Sequence, residues 1–335
     1  AFKRALKYAP NNARLLLRYA EALSRANRWE DAEKQFLRAF SSATEIEKAI
    51  KGYVKMLLAQ FNNDVAKALK EWQRHWQKAP SLFLCKAVLE LGKRAKAVEQ
   101  VLKMLTTMLK GEHATARQQL LMRTVAEAYE QLQRWKDATA MWHQLHQTWS
   151  EDYYPLWRMA ECQAQLGNER QADAHFRQAL ACHPTAHDVR RSYARFLTSQ
   201  GRFVEAQTQC RIAIALGASP EVMYGQMIDI YERAGRDSLR EAVSNFARMA
   251  RKHPDDLALQ KIVAIGYERL NQYKRALPYW RRVCALTEAA PQAVQALARC
   301  LEHSGMDEDA VIAYRYVARE LKTETYRIIS SVDER

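Results

Sequence analysis

Cys182, His183 and His187 crowd one short stretch, a density that raises the question of a metal site or a Cys–His nucleophile pair. They straddle Pro184. No fourth ligand stands at a workable spacing for a tetrahedral metal, and no third group is placed to orient a base. They therefore read as turn and surface residues. His143 and His146 are three apart on one helical face, again short of a ligand set. No glycine-rich phosphate loop and no Ser/His/Asp order is present. The expectation is a non-enzymatic chain with no catalytic residue, no metal and no cofactor. Recognition chemistry is better represented. Tyr153, Tyr154 and Trp157, followed by Arg158, give an aromatic surface beside a guanidinium. Such a cluster holds an extended peptide or a sugar ring; the alternative is that Trp157 packs on Trp149. Arg191 and Arg195 stand one helical turn apart and suit a carboxylate or phosphate gripped in bidentate fashion. Glu127 and Glu161 are acidic neighbours, so an internal ladder of ion pairs is the alternative.

These residues ride on a repeating frame. Between Glu161 and Pro184 the order is Gly167, Ala172, Phe176, Ala179, then the closing Pro184. Ala172, Phe176 and Ala179 share one helix face behind a turn at Gly167. The same pattern returns as Ala138, Trp142 and Leu145, then Ala206, Cys210 and Ala213 behind Gly201. It continues with Ala242, Phe246, Met249 and Pro254, then Ala276, Trp280 and Val283, then Ala310, Tyr314 and Val317. Steps from Ala138 are 34, 34, 36, 34 and 34 residues, the period of a helical array. Upstream, Ala32, Phe36 and Ala39 fit, as do Ala68 and Trp72 before Pro80. A second small residue precedes most of these alanines by twelve (Ala20, Ala126, Ala160, Ala194, Ala264, Ala298), with Leu23, Tyr129, Gln163, Leu197, Tyr267 or Leu301 three further on.

In these positions the chain resembles the tetratricopeptide repeat family over nearly its whole length. The resemblance implies an all-α fold, a right-handed α-solenoid of about nine helix-turn-helix repeats, and a binding scaffold. It also implies that first helices line a concave groove. On that basis the groove residues are Tyr154, Trp157, Arg158, Glu161, Arg191, Arg195, Asp229, Arg233 and Arg299, joined by Arg123, Glu127, Glu130, Asp188, Gln226, Lys261, Arg269, Gln295 and His303. The partner expected is a segment of another protein. Some family members clamp a C-terminal carboxylate with Lys, Asn and Arg; here Trp157, Glu161, Ser192, Val222 and Gln226 occupy the corresponding places, so that clamp is absent. A second reading is a periplasmic scaffold of a bacterial exopolysaccharide secretion system, taking an anionic or amino-sugar polysaccharide or its modifying enzymes. RNA binding is disfavoured because Trp72, Trp142 and Trp280 fall in second helices. Self-association through terminal repeats stays open.

The repeat overrides the two-domain prior of a 335-residue chain and gives one array. Residues 1–10 read as a partial repeat and 13–80 as two repeats, with Asn27 at a turn where others use Gly. Residues 81–118 read as a degenerate repeat and linker. There Gly92 marks the turn, Ala97, Val101 and Met104 the second helix, and the first helix is short. Residues 119–320 are regular apart from two extra residues at 236–240, placed in the turn after Gly235, and Pro278, which kinks its helix unless it lies in the first turn. Residues 321–335, with Tyr326, Ile328 and Ile329, read as a tail or capping helix. The net charge of +14 is read as spread over solvated faces, with acidic peptide, anionic polysaccharide or nucleic acid as the functional alternatives. Six cysteines without a pairing pattern leave Cys210 in the core and suit a reducing compartment, so a cytoplasmic location is expected, with the periplasm as alternative. No apolar run is long enough to span a membrane. The opening at Ala1, inside an apparent second helix, suggests a fragment of a longer protein.

Overall fold

The computed structural model describes residues 2–41, 45–113 and 115–333, with side chains up to residue 320 except Lys3. The side chains of Tyr326, Ile328 and Ile329, invoked for a cap, lie outside these residues. Every element is a helix. A lone α1 (Phe2–Tyr8) is followed, among the described residues, by nine helical hairpins. They are α2 (Ala13–Arg25) with α3 (Trp29–Phe40), α4 (Ile46–Gln60) with α5 (Val65–Lys78), and α6 (Leu82–Arg94) with α7 (Val98–Lys110). Next come α8 (Thr115–Gln131) with α9 (Trp135–Thr148), and α10 (Tyr153–Gln165) with α11 (Glu169–Cys182). The remainder are α12 (His187–Ser199) with α13 (Phe203–Ala215), α14 (Pro220–Ala234) with α15 (Arg236–Lys252), α16 (Leu257–Arg269) with α17 (Tyr273–Leu286), and α18 (Pro291–Glu302) with α19 (Asp307–Asp333). Two compact units result, Ala1–Cys182 and His183–Arg335.

One turn recurs through both units. The first helix ends on a residue in the left-handed region: Asn27, Asn63, Lys96, Gln133, Gly167, Gly201, Asn271 and Gly305, with φ between 53° and 77°. At all of these but Asn63 the next N–H reaches back over it to a carbonyl five residues earlier; the α4–α5 turn holds one residue more, Asn62 is left-handed as well, and the Asn63 N–H itself reaches Leu58 O at 2.8 Å. Arg28 donates to Leu23 O at 2.9 Å, Asn168 to Gln163 O at 2.9 Å, and Met306 to Leu301 O at 3.0 Å. This satisfies carbonyls that a helix end leaves orphaned. Asn27 does replace Gly, at φ 56°. Counting five residues on from each left-handed position gives Ala32, Ala68, Val101, Ala138, Ala172, Ala206, Ala276 and Ala310, all buried. Four further on comes the large core residue, such as Phe36, Trp72, Trp142 or Phe176. Cys210 takes that place in α13 and is buried.

That count corrects the register of residues 81–118. The left-handed residue is Lys96, so Val101 and not Ala97 is the packing residue, and Ala97 is only the N-cap of α7. Val101 is too large for an alanine slot, and Gly92 compensates. A Cβ on Gly92 would stand 3.0 Å from Val101 Cγ2. Gly92 thus lies inside α6 as a packing residue, and α6 is not short but 13 residues long. The surplus before the next repeat extends α8 to 17 residues. The surplus at 236–240 likewise lengthens a helix and not the turn: α15 starts at Arg236 and also runs 17 residues. Its buried face holds Val243, Phe246, Ala247 and Ala250, while Met249 is exposed. Pro278 lies inside α17, which begins at Tyr273, so the first-turn alternative does not hold.

A second glycine is set by close approach. A Cβ on Gly266 of α16 would overlap Val243 Cγ2 of α15. Gly266→Ala is therefore expected to cost about 1–3 kcal/mol through overpacking. Gly266→Ala/Val243→Ala is expected to recover most of that loss in urea unfolding. A single variant as stable as the wild type would show that the helices part freely here.

Candidate functional site

The aromatic–guanidinium cluster is assembled by α8, α9 and α10, and its chemistry points inward. Glu130 of α8 accepts the indole N–H of the fully buried Trp142 at 2.7 Å. It also accepts both Nε and Nη2 of Arg158, and the Cys162 thiol at 3.6 Å. The other guanidinium branch of Arg158 pairs with Glu161. One turn earlier, Glu127 accepts Lys86 Nζ at 2.7 Å, Arg123 Nε at 3.2 Å and the Tyr154 hydroxyl at 3.2 Å. The Arg123 guanidinium lies 3.8 Å over the Tyr154 ring, whose edges meet Trp142 and Trp157. One face of the Tyr154 ring is thus taken by Arg123. Burial, reinforced by the Glu127 charge, pushes its hydroxyl up to about 12.

The constellation occurs twice with the same spacing. In the second unit Glu268 accepts the Trp280 indole at 2.5 Å and the Cys300 thiol at 3.0 Å. Offsets of twelve and thirty-two residues match Glu130, Trp142 and Cys162. The cation differs: Ala296 stands where Arg158 would be, and Arg299 approaches Glu268 only to 3.8 Å. Burial is the main force raising both thiols, with the carboxylate adding to it; Cys162 reaches about 12. Burial alone takes Cys210 to about 12, and it takes Cys85 to about 11 as the main force. Cys182 is exposed. At pH 8 we expect an aromatic disulfide reagent to label Cys182 at once, while Cys85, Cys162, Cys210 and Cys300 wait for unfolding. Fast labelling of Cys182→Ser at any of these four would contradict the packing described.

Farther along, successive first helices are tied by polar rungs. Gln226 Nε2 of α14 donates to Arg191 O of α12 at 2.9 Å, while the Arg191 side chain pairs with Asp188 at 3.5 Å. Arg195 donates to Ser192 Oγ at 3.1 Å. Arg269 of α16 bridges Asp229 at 3.4 Å and Glu232, and Lys261 meets Glu221 at 2.9 Å. Arg233 is exposed and makes no ion pair among the described residues. The expected groove residues therefore fall into two groups. Tyr154, Trp157, Arg158 and Glu161 sit together on α10, all four half-buried. Arg191, Arg195, Asp229, Arg233 and Arg299 belong to α12, α14 and α18 and are exposed. His143 and His146 stand near His175, whose pKa is lowered mainly by burial. Among the described residues no group of three or more His, Cys, Asp or Glu is arranged to hold a metal. None of the helices searched is long and apolar enough to cross a membrane.

Open clefts of about 360 and 400 Å³ on the first unit are lined mainly by the second helices α3 and α5, and two more are lined by residues of first helices or their caps. One, about 380 Å³, is framed by α4, α6, α8 and α10 and reaches Glu127, Glu130, Tyr154 and Arg158. The other, about 520 Å³, lies between α2, α4 and α6 and is dominated by cations. Sequence reasoning missed the second. Its signal was a charge skew that a reading of +14 as evenly spread passes over: residues 1–110 hold 22 Lys and Arg against 10 Asp and Glu, residues 111–335 hold 30 against 28.

Tetratricopeptide-repeat family models match residues 1–61, 156–186 and 192–323. Among solved structures, a tetratricopeptide repeat protein from Parabacteroides merdae is similar at 11% identity and a TM-score of 0.43, over 75% of this chain and 93% of its own. Cut9–Hcn1, from the APC/C hetero-tetramer, is similar at 12% identity and 0.43, over 89% and 59%. YrrB, described as a TPR protein with an unusual peptide-binding site, is similar at 12% and 0.32, over 52% and 90%. No protein of curated function matches the chain. With the repeated left-handed turn, the alanine five residues beyond it, and three stretches matched by models of one family, the chain is a tetratricopeptide-repeat protein.

Proposed function

We propose that the chain is a non-catalytic scaffold that binds a segment of a partner protein along its first helices. The observation behind this is that two clefts of the first unit, of about 520 and 380 Å³, run across successive first helices, the first over α2, α4 and α6 and the second over α4, α6, α8 and α10. Each helix adds a short row of side chains, so an extended segment crossing the helices meets α2, α4, α6 and α8 in turn. Pre-formed clefts with few moving parts lower the ordering cost of such binding. We also place the chain in a reducing compartment, on its six free cysteines.

The test is a random-peptide display selection on the immobilised full chain, followed by photo-crosslinking from p-benzoylphenylalanine. The probe replaces Glu21 of α2, Lys93 of α6 or, as control, the exposed Gln178 of the second helix α11. Enriched peptides are expected to crosslink from positions 21 and 93 and not from 178. No enrichment over an unrelated helical protein, or crosslinks from 178 alone, would overturn the reading.

A further inference from the structure

We infer that the cleft between α2, α4 and α6 takes an acidic, extended segment of a partner protein, gripping its side-chain carboxylates. The inference rests on the scaffold reading and narrows it to one chemistry. Six cations line this cleft: Arg14 and Arg18 of α2, Lys48, Lys51 and Lys55 of α4, and Arg94 at the end of α6. Spacings of three and four along α2 and α4 put each set on one helix face. Three of the six are engaged. Arg14 and Lys48 share Glu45 at 3.2 and 2.8 Å, and Lys51 pairs with Glu47 at 2.5 Å. Arg18, Lys55 and Arg94 are exposed and make no ion pair among the described residues.

The contrast with the other first helices gives this its weight. Lys86 is answered by Glu127, Arg158 by Glu130, Lys261 by Glu221 and Arg269 by Asp229, each on the neighbouring first helix. Between α2 and α4 the only such rung is Arg14–Glu45, and no ion pair joins α4 to α6 among the described residues. The ladder thus keeps more cations than acids here, six against Glu21 and Glu45 in the lining, and carboxylates from outside complete it. The dimensions suit an extended chain. Side chains on one side of a strand recur every ~7 Å, and packed helices lie ~8–10 Å apart. Carboxylates two residues apart, on one side of the strand, are therefore spaced closely enough to meet cations on successive helices.

The lining also separates this ligand from other polyanions. Its apolar members are Leu17 and Gly52, and no aromatic ring is present. Single-stranded nucleic acid draws much of its affinity from stacking on such rings, and sugars use the same faces. Glu21 and Glu45 interrupt the basic lining. They oppose an unbroken chain of phosphates or sulfates, whereas a protein segment can set a neutral or basic residue against them.

The experiment is fluorescence anisotropy on the full chain. The probe is a labelled twelve-residue peptide with six Asp and Glu residues and an amidated C-terminus, compared with its Asn/Gln counterpart. Arg18→Glu/Lys55→Glu/Arg94→Glu reverses the three unpaired cations. Lys34→Glu/Lys70→Glu/Lys103→Glu reverses three exposed cations of the second helices α3, α5 and α7, giving the same net charge. Circular-dichroism melts check that both variants fold. The acidic peptide is expected to bind the wild type at least about tenfold more tightly than the neutral one, and to lose about tenfold or more in the cleft variant but less than about twofold in the control, three exposed pairs acting together. Equal binding of the neutral peptide, an equal loss in the control, or tighter binding of labelled oligothymidylate or heparin overturns the inference. If the acidic peptide fails while display-selected peptides still crosslink from positions 21 or 93, acid selectivity falls and the scaffold reading stands. If both fail, both readings fall.

Discussion

Glu130→Ala is expected to destabilise the first unit by about 2–4 kcal/mol, because it leaves a buried indole N–H without a partner and a half-buried guanidinium held by Glu161 alone. Arg158 is 22% exposed and spends two of its guanidinium nitrogens on Glu130. Trp142 is fully buried, and its N–H makes no other bond among the described residues. The loss should appear as faster native-state hydrogen exchange across α8, α9 and α10, since a repeat array unfolds in pieces and a single global value is ill-defined for it. Glu130→Met/Arg158→Met separates the possible causes. If the cost is an unpaired charge, the double variant recovers most of it, because apolar groups of similar size replace both partners. If the double variant is worse than the single, the pair itself supplies net stability. Glu268→Ala is an internal control. There the cation is Arg299, 57% exposed and 3.8 Å away, so the penalty should be visibly smaller.

Trp72→Ala is expected to cost ~3–5 kcal/mol, the range for removing a fully buried large aromatic. Trp72 of α5 has no exposed surface, stacks on Trp76 with centroids 5.5 Å apart, and donates its indole N–H to Leu84 O of α6 at 2.8 Å. Its loss removes packing within one hairpin and the bond to the next. Trp72→Phe keeps a ring but not the donor, so it should cost less, about 1–3 kcal/mol. Exchange protection is the measurement, with the change expected in α4 to α7. Protection lost equally through α12 to α19 would show the two units unfolding as one and sink the local account.

Most of the fold was legible because the turn, the small residue and the large residue obey a fixed count. Gly167, Ala172 and Phe176 announce a hairpin unaided. The count failed where two substitutions compensate each other. Val101 in an alanine slot and Gly92 opposite it hide the register from anyone scanning for alanines, and Lys96 gives no hint by its type that it adopts positive φ. The candidate site was legible in part. Tyr154, Trp157, Arg158 and Glu161 do sit together on α10. Their direction was not readable, since an arginine beside two glutamates looks alike in sequence whether it faces a ligand or Glu130. The basic cleft was missed because its members come from three helices, and only the skew of charge toward residues 1–110 marks it.

The recurring turn also decides where this chain absorbs insertions. Loops are ordinarily the segments that vary in length. Here the left-handed residue and its reach-back hydrogen bond leave little slack: one more residue between Gln163 and Asn168 would break the 2.9 Å bond that closes the helix, and the α4–α5 turn holds an extra residue only after its bond to Leu58 O is closed, with Asn63 as a second left-handed residue. The larger insertions have gone into helices, as in α8 and α15 at 17 residues against the 13 of α10 or α12. Insertions confined to a helix end leave every joint intact. Variants drawn from natural or engineered libraries should therefore accept added helical residues at the start of α8 or α15 far more readily than a single extra residue between Gln163 and Asn168, unless that residue, like Asn63, tolerates positive φ.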